Sequence, residues 1–286
     1  MGEIKAYMDR CAALGLKVHY DVRMLAQAAP SPEKWTRLKH EIEMFRDHPA
    51  LLCWYLCDEP AGQGIAPSVL DEAYAFVKDL DPYHPVTMVF CVPQRAQDYM
   101  RGMDIMMADP YPIPNRPITM VSDWADDLNR AVDYGMPLWI VPQAFGGGEG
   151  WGREPSAREE RAMTYLALIH GATGIQYFVR RAPIGNPISP SLWSECRRLG
   201  LESAELTPWL LSSDPAPGLT VSPVSVHGTT KVSRGEVLLL AVNTETSPRS
   251  VTYGLDGVTY SGPAVVVFED RTVDVLAGRI EDMIDG

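Results

Sequence analysis

Six strand-like apolar runs alternate with helical segments over residues 3–212, and this order limits the fold more than any other feature of the chain. The runs are LKVHYDV (16–22), ALLCWYLC (50–57), PVTMVF (85–90), the apolar part of DIMMADPYP, PLWIVPQAF (137–145) and TGIQYFV (173–179). Helical spacing falls between them at 3–14, 32–46, 66–80, 94–101, 119–134 and 155–170, with a last segment at 190–212 interrupted at Pro208. Gly15 closes the first helix, and Ser31 with Pro32 supplies a cap and a first turn for the second. Strands separated by short helices make βα units and a parallel sheet.

Two parallel-sheet architectures fit such an order. A dinucleotide-binding sheet lacks its fingerprint, because no GxGxxG follows the first strand. Polar residues recur just past the strand ends: Asp21 and Arg23, Asp58 and Glu59, Asp109, Gln143, Arg180. In a (β/α)8 barrel that face carries the active site, which favours a barrel. Six strands fall short of eight, so the expected fold is an incomplete barrel over 1–213 with its first two strands missing. From 214 the pattern changes to short strand-like runs split by Gly, Asn, Pro and Ser, with no helical spacing until the last residues. Residues 214–286 therefore read as a small all-β sandwich, close to the lower size limit for a self-sufficient core.

Composition removes several functions. A net charge of −12 without a Lys/Arg run argues against nucleic acid. No apolar run reaches the length of a membrane span. The N-terminus enters an amphipathic helix at once, unlike a signal peptide, and MGEIKA lacks the myristoylation pattern. Five scattered cysteines, Cys11, Cys53, Cys57, Cys91 and Cys196, read as buried free thiols rather than a disulfide framework. Neither CxxC nor HExxH occurs, so no metal or other cofactor is implied.

The densest signal is HPALLCWYLCDEP (48–60), a buried strand ending in an Asp–Glu pair and Pro60. Burial beside aromatic residues raises a carboxyl pKa, as a general acid requires. Alternation points Asp58 and Glu59 in opposite directions if the strand persists that far. The competing reading is a helix N-cap. The segment resembles the fourth-strand motif of the large retaining clan of barrel glycosidases, in which a strand following His-Pro ends in Asn-Glu-Pro or Asp-Glu-Pro. DPYP (109–112), PLWIVPQAFG (137–146) and YLALIHGATGIQYF (165–178) extend the resemblance, and a small β domain is a common companion of such barrels. The resemblance implies O-glycosidic hydrolysis of a carbohydrate, with Glu59 as acid/base and Asp58 contacting the sugar.

Where that clan ends its seventh strand on a nucleophilic Glu, this chain has Gln143, whose neutral amide cannot form a glycosyl-enzyme. Three readings follow. Another carboxylate serves, with Asp109 first and then Glu149 or Glu154; the substrate's own acetamido group assists; or the chain binds sugar without cleaving it. A barrel hydrolase or lyase of another class, using Glu59 as base, is a further alternative. Asp109 is a second catalytic candidate, although Asp before Pro also starts turns. Asp21, Arg23, Asp58, Tyr111, Gln143, Trp151, Tyr177 and Arg180 are the candidate substrate contacts, with Phe145 and Phe178 as further aromatic platforms. Trp54 and Phe178 fit core packing, while His19 and His170 fit satisfied structural positions. Open edges at 16–22 and 173–179 lead us to expect self-association.

Overall fold

A computed structural model of the chain describes residues 2–148, 150–179 and 188–286. Glu149, Arg180 and Arg181 lie outside the described residues. The chain gathers into two compact units, Met1–Asp109 with Asp127–Trp139, and Pro110–Asp126 with Ile140–Gly286.

The α/β part runs α1 (Gly2–Ala13), β1 (Val18–Asp21), α2 (Arg23–Ala26), α3 (Pro32–Phe45), β2 (Leu51–Asp58), α4 (Pro67–Leu80) and β3 (Val86–Phe90). A 3-10 segment (Pro93–Gly102) leads to β4 (Ile105–Ala108), α5 (Met120–Ala131), β5 (Leu138–Ile140), α6 (Ala157–Ile169), β6 (Gly174–Ile175) and α7 (Pro190–Leu210). The six strands hydrogen-bond in chain order, β1 to β6. The β1–β2, β2–β3 and β3–β4 pairs are parallel. Parallel neighbours need a crossover between consecutive strands, which the intervening helices supply.

Local chemistry explains the boundaries. Ser31 accepts a hydrogen bond from the Lys34 amide (3.1 Å), with Pro32 opening α3. Ser156 and Glu159 form a reciprocal capping box at the start of α6. In the first unit Leu38, Ile42, Phe45, Trp54, Leu56, Leu70, Val77 and Met88 have no exposed surface. The Trp54 indole N–H donates to Asp81 at 2.8 Å, avoiding a penalty of about 1–3 kcal/mol for a buried unpaired donor.

Three expectations change. The expected strands at 137–145 and 173–179 shorten to three and two residues. Pro142, which has no N–H to give a ladder, follows β5 closely, and the pairing resumes only as a bridge between Gln143 and Phe178. The helix at 190–212 is not interrupted at Pro208. That residue sits in the last turn of α7, where it removes one ladder bond without ending the helix. A short helix, α2, also forms at 23–26 where the pattern is silent.

Beyond α7 the chain is antiparallel: β7 (Leu219–Ser222), β8 (Val226–Ser233), β9 (Glu236–Asn243), β10 (Arg249–Leu255), β11 (Gly262–Val266), β12 (Arg271–Leu276) and β13 (Arg279–Ile284). One sheet has the order β11-β12-β13-β10-β7, and β8 pairs with β9 in another. Arg234 and Gly235, both at positive φ, make the two-residue turn between β8 and β9. Val226, Val251, Tyr253, Val275 and Ile280 form the buried centre. The C-terminal residues, where helical spacing was expected to begin, form β13 between β12 and β10.

Candidate active site

Strand register decides which side chains gather in the first unit. Tyr55 lies opposite Thr87 on β3, but Cys57 lies opposite Met88, so β2 carries one extra residue there. Such a bulge reverses the alternation beyond it. Strict alternation would put Tyr55 and Asp58 on opposite faces. The bulge returns Asp58 to the face of Tyr55, opposite Val89. Thr87 and Val89 in turn lie opposite Ile105 and Met107 on β4. Continued by two residues, the same face carries Cys91 after β3 and Asp109 after β4.

A charged network holds Asp58. Tyr55 Oη donates to its Oδ1 (2.5 Å) and Arg23 Nη1 to its Oδ2 (2.6 Å). Arg23 also spans Asp21 through Nε and Nη2 (3.0 and 2.9 Å) and lies 4.6 Å over the Tyr55 ring. Burial, then the charge on Asp58, pushes the Tyr55 phenol up, so it stays a donor. The structure thus joins three expected contacts, Asp21, Arg23 and Asp58, in one ion network. His19 contacts the Thr87 hydroxyl at 2.5 Å, in keeping with a satisfied structural histidine.

Glu59 follows β2 in a left-handed conformation, φ 45°, rare for a residue with a Cβ. Its N–H donates to Val89 O (2.9 Å) and its carbonyl accepts from Gln63 N (3.0 Å), so both backbone groups hold the turn. Strain of this kind costs about 1–3 kcal/mol and concentrates at functional positions. Glu59 lies beside the Asp109 carboxyl, and a side chain on Gly62 would meet both the Cys91 sulfur (3.3 Å) and Glu59 Oε2 (3.7 Å). Asp109 is only 6% exposed, and its Oδ1 has no partner. Burial first, then the neighbouring Glu59 and Asp58 charges, raise the Asp109 carboxyl to about 8. The neutral form of Asp109 is thereby favoured near neutral pH.

The second unit holds the other expected contacts. Gln143 has no exposed surface. Its Nε2 donates to Ile113 O (2.9 Å) and Phe145 O (3.1 Å), and its Oε1 accepts from Ile113 N (3.0 Å). The Gln143 amide clamps backbone with both its oxygen and its nitrogen. Tyr111, Phe145, Trp151 and Phe178 form an aromatic cluster with ring centroids 5.1–6.0 Å apart. Trp151 Nε1 donates to Tyr111 O at 3.0 Å. Phe178, read as core, is 38% exposed and stacks on Tyr111. Tyr177 is partly buried and packs against Ala144, Leu192 and Cys196, with its hydroxyl 3.1 Å from that of Thr164. The Glu154 carboxylate accepts the backbone amides of Ile188 and Ser189 before α7 and is a helix-end partner. His170 contacts Asp126 and His227, each at 2.8 Å. Arg180 and Glu149 lie outside the described residues.

Two members escape sequence reasoning. Tyr55 is hidden by the bulge. Cys91 reads as an ordinary buried thiol, and its position one residue past an apolar run is the only available signal. Among the described residues no group of His, Cys, Asp and Glu is arranged to hold a metal ion. No described helix is long and apolar enough to cross a membrane.

No family model matches the chain, and no curated protein matches it in sequence. Solved structures do. The chain is similar to an α-amylase from Anoxybacillus, with TM-score 0.56 and 14% identity over 89% of this chain and 61% of that one. It is similar to an α-amylase from Geobacillus thermoleovorans complexed with acarbose, with TM-score 0.52 and 13% identity over 89% and 62%. An FMN-binding β-glucuronidase from Facaelibacterium prausnitzii L2-6 gives TM-score 0.50 and 12% identity over 88% and 47%. The chain thus spans about three fifths of the length of the α-amylases and about half that of the glucuronidase. At such identities the likeness is one of fold. This is a mixed α/β chain with a glycoside-hydrolase-like fold, and its structural neighbours are glycosidases.

Proposed function

We propose that the chain acts on O-glycosidic bonds of a carbohydrate, with Glu59 and Asp109 as its acid/base pair. The observation that carries this is the burial of Asp109 beside Glu59 past the ends of parallel strands, which raises its carboxyl to about 8. That face is where barrel enzymes place their chemistry. Environments that push two neighbouring carboxyls apart assign the acid and the base. Asp109 stores the proton at neutral pH, Glu59 delivers it to the glycosidic oxygen as the bond to the anomeric carbon breaks, and a water attacks that carbon and returns its proton to the pair. Asp58, oriented by Tyr55 and Arg23, is the sugar contact. We read the six-stranded sheet as part of a (β/α)8 barrel ending at residue 213, and 214–286 as a β-sandwich. The strands at its ends, β1 and β6, pair with further copies of the chain.

One observation favours a second reading, a protein that binds carbohydrate without cleaving it. The Gln143 amide is consumed by backbone hydrogen bonds, so the position where the resemblance calls for a nucleophile carries none. A screen of aryl glycosides with wild type, Glu59→Gln and Asp109→Asn decides between them. Turnover abolished in Glu59→Gln supports the glycosidase. Sugar binding equal in wild type and Glu59→Gln, with no glycoside turned over, supports the binding protein. Turnover that survives Glu59→Gln removes Glu59 from the mechanism.

A further inference from the structure

His170 and His227 are 57 residues apart in sequence and in direct contact in the fold. His170 is the C-cap of α6, and His227 is the second residue of β8. Helix α6 packs on β8 and β9, and β8 pairs with β9 along its whole length, so His227 moves only with that hairpin. His170 Nε2 lies 2.8 Å from His227 Nδ1, with ring centroids 5.0 Å apart. On its other side, His170 Nδ1 lies 2.8 Å from Asp126 Oδ1 on α5. These residues all belong to the second unit, and none is a member of the Glu59–Asp109 pair.

The protons in this row can be counted. A carboxylate only accepts, so the proton between Asp126 and His170 sits on Nδ1 of the imidazole. A neutral His170 then has a bare Nε2, and His227 donates to it from Nδ1. One added proton is taken up without loss. It sits on His227 Nε2, or His170 becomes the donor to His227, and in either case one N–H still meets one lone pair. A second added proton puts an N–H on both facing nitrogens, and two cationic donors at 2.8 Å repel. We propose that His170 and His227 form a pH-gated clasp, which ties the β8–β9 hairpin to the end of α6 while at least one ring is neutral and releases it when both are charged. Among the described residues, the charges acting on His227 are those of His170 at the end of α6 and of Asp123 and Asp126 on α5, and its partner on β9 is the uncharged Val242. Burial, then His170, lowers the His227 pKa against the pull of the two carboxylates. Because the folded value is the lower one, the linked stability is fully present above the ordinary value of 6.5 and is lost as pH falls below it.

Nitrogen-15 NMR of the histidine rings in the full chain tests the clasp without a substrate, because the ring shifts report which nitrogen carries the proton. The chain has six histidines, and His170→Gln and His227→Gln assign the pair. At pH 8 both neutral rings should carry their proton on Nδ1. On acidification the pair should take up two protons in separate steps, the second at least about one unit below 6.5. In His170→Gln the like charge is gone, and His227 should titrate about half to one unit above that second step. Urea unfolding reads the gate itself. At pH 7.5 the two substitutions together should lower the midpoint by less than the sum of their separate effects, because either one alone breaks the contact. At pH 4.5, with the clasp already open, the effects should add. A proton on Nε2 of either neutral ring at pH 8 would overturn the proposal. So would steps that neither variant moves, or a coupling in urea that is equal at both pH values. If a variant fails to fold, the tautomers and the two steps of the wild type decide alone.

Discussion

Asp109→Asn should stabilise this protein, and only at pH values where the unfolded chain has ionised Asp109 while the folded chain keeps its proton. The folded carboxyl lies near 8, against 3.8 for the unperturbed group, raised chiefly by burial and then by Glu59 and Asp58. Because the folded value is the higher one, the stability linked to this proton is fully present below 3.8. It is lost progressively as pH rises toward 8. At pH 7 the unfolded chain has released the proton and the folded chain has kept it. The interval of about three units corresponds to a cost of about 4 kcal/mol in the folded state. Asparagine has the same shape and carries no charge, so most of this cost disappears. The expected gain is about 2–4 kcal/mol at pH 7 and under about 1 kcal/mol at pH 4. Urea unfolding followed by tryptophan fluorescence at both pH values measures the difference. A gain equal at the two pH values, or no gain at pH 7, would refute the placement of a buried proton on Asp109. The stored cost is the expected signature of a group kept for chemistry rather than for stability.

Three further outcomes follow from named contacts. Glu160 is fully buried with neither carboxylate oxygen partnered, and burial, then Glu195, holds it well above the usual range. Its linked stability likewise falls as pH rises above the unfolded value, so Glu160→Gln should gain about 1–3 kcal/mol at pH 8 and little at pH 4, read by thermal unfolding at each pH. Gln143→Glu should not create a nucleophile. It replaces two donors to Ile113 O and Phe145 O with an acceptor in a fully buried position, and should cost about 2–4 kcal/mol in the urea midpoint. Size-exclusion with light scattering on the wild type should give a mass above the 31.6 kDa of one chain, and a monomer at micromolar concentration would count against pairing through the ends of the sheet.

Much of this was legible in the residues. Apolar runs with helices between them specify strand order and parallel pairing, because a helical crossover is what lets consecutive strands run the same way. The end of β2 is marked by Asp58, Glu59 and Pro60, and a parallel sheet whose strands end in polar residues locates its chemistry at those ends. The Ser31 cap and the Arg234–Gly235 turn are local events, written in local sequence. The aromatic residues show where local patterns stop. Tyr177 and Phe178 are adjacent and equally suited to stack on a sugar, yet one packs against Leu192 and Cys196 and the other joins Tyr111.

The sequence alone determined the alternation of elements and placed Glu59 just past a buried strand, since these follow from periodicity and from the chemistry of single residues. Only the tertiary structure decided which side chains meet Glu59. A bulge in β2 returns Asp58 to the face of Tyr55, and Asp109 and Cys91 arrive from the ends of two other strands. Whether a carboxyl keeps its proton depends on what surrounds it, and those surroundings come from residues distant in the chain.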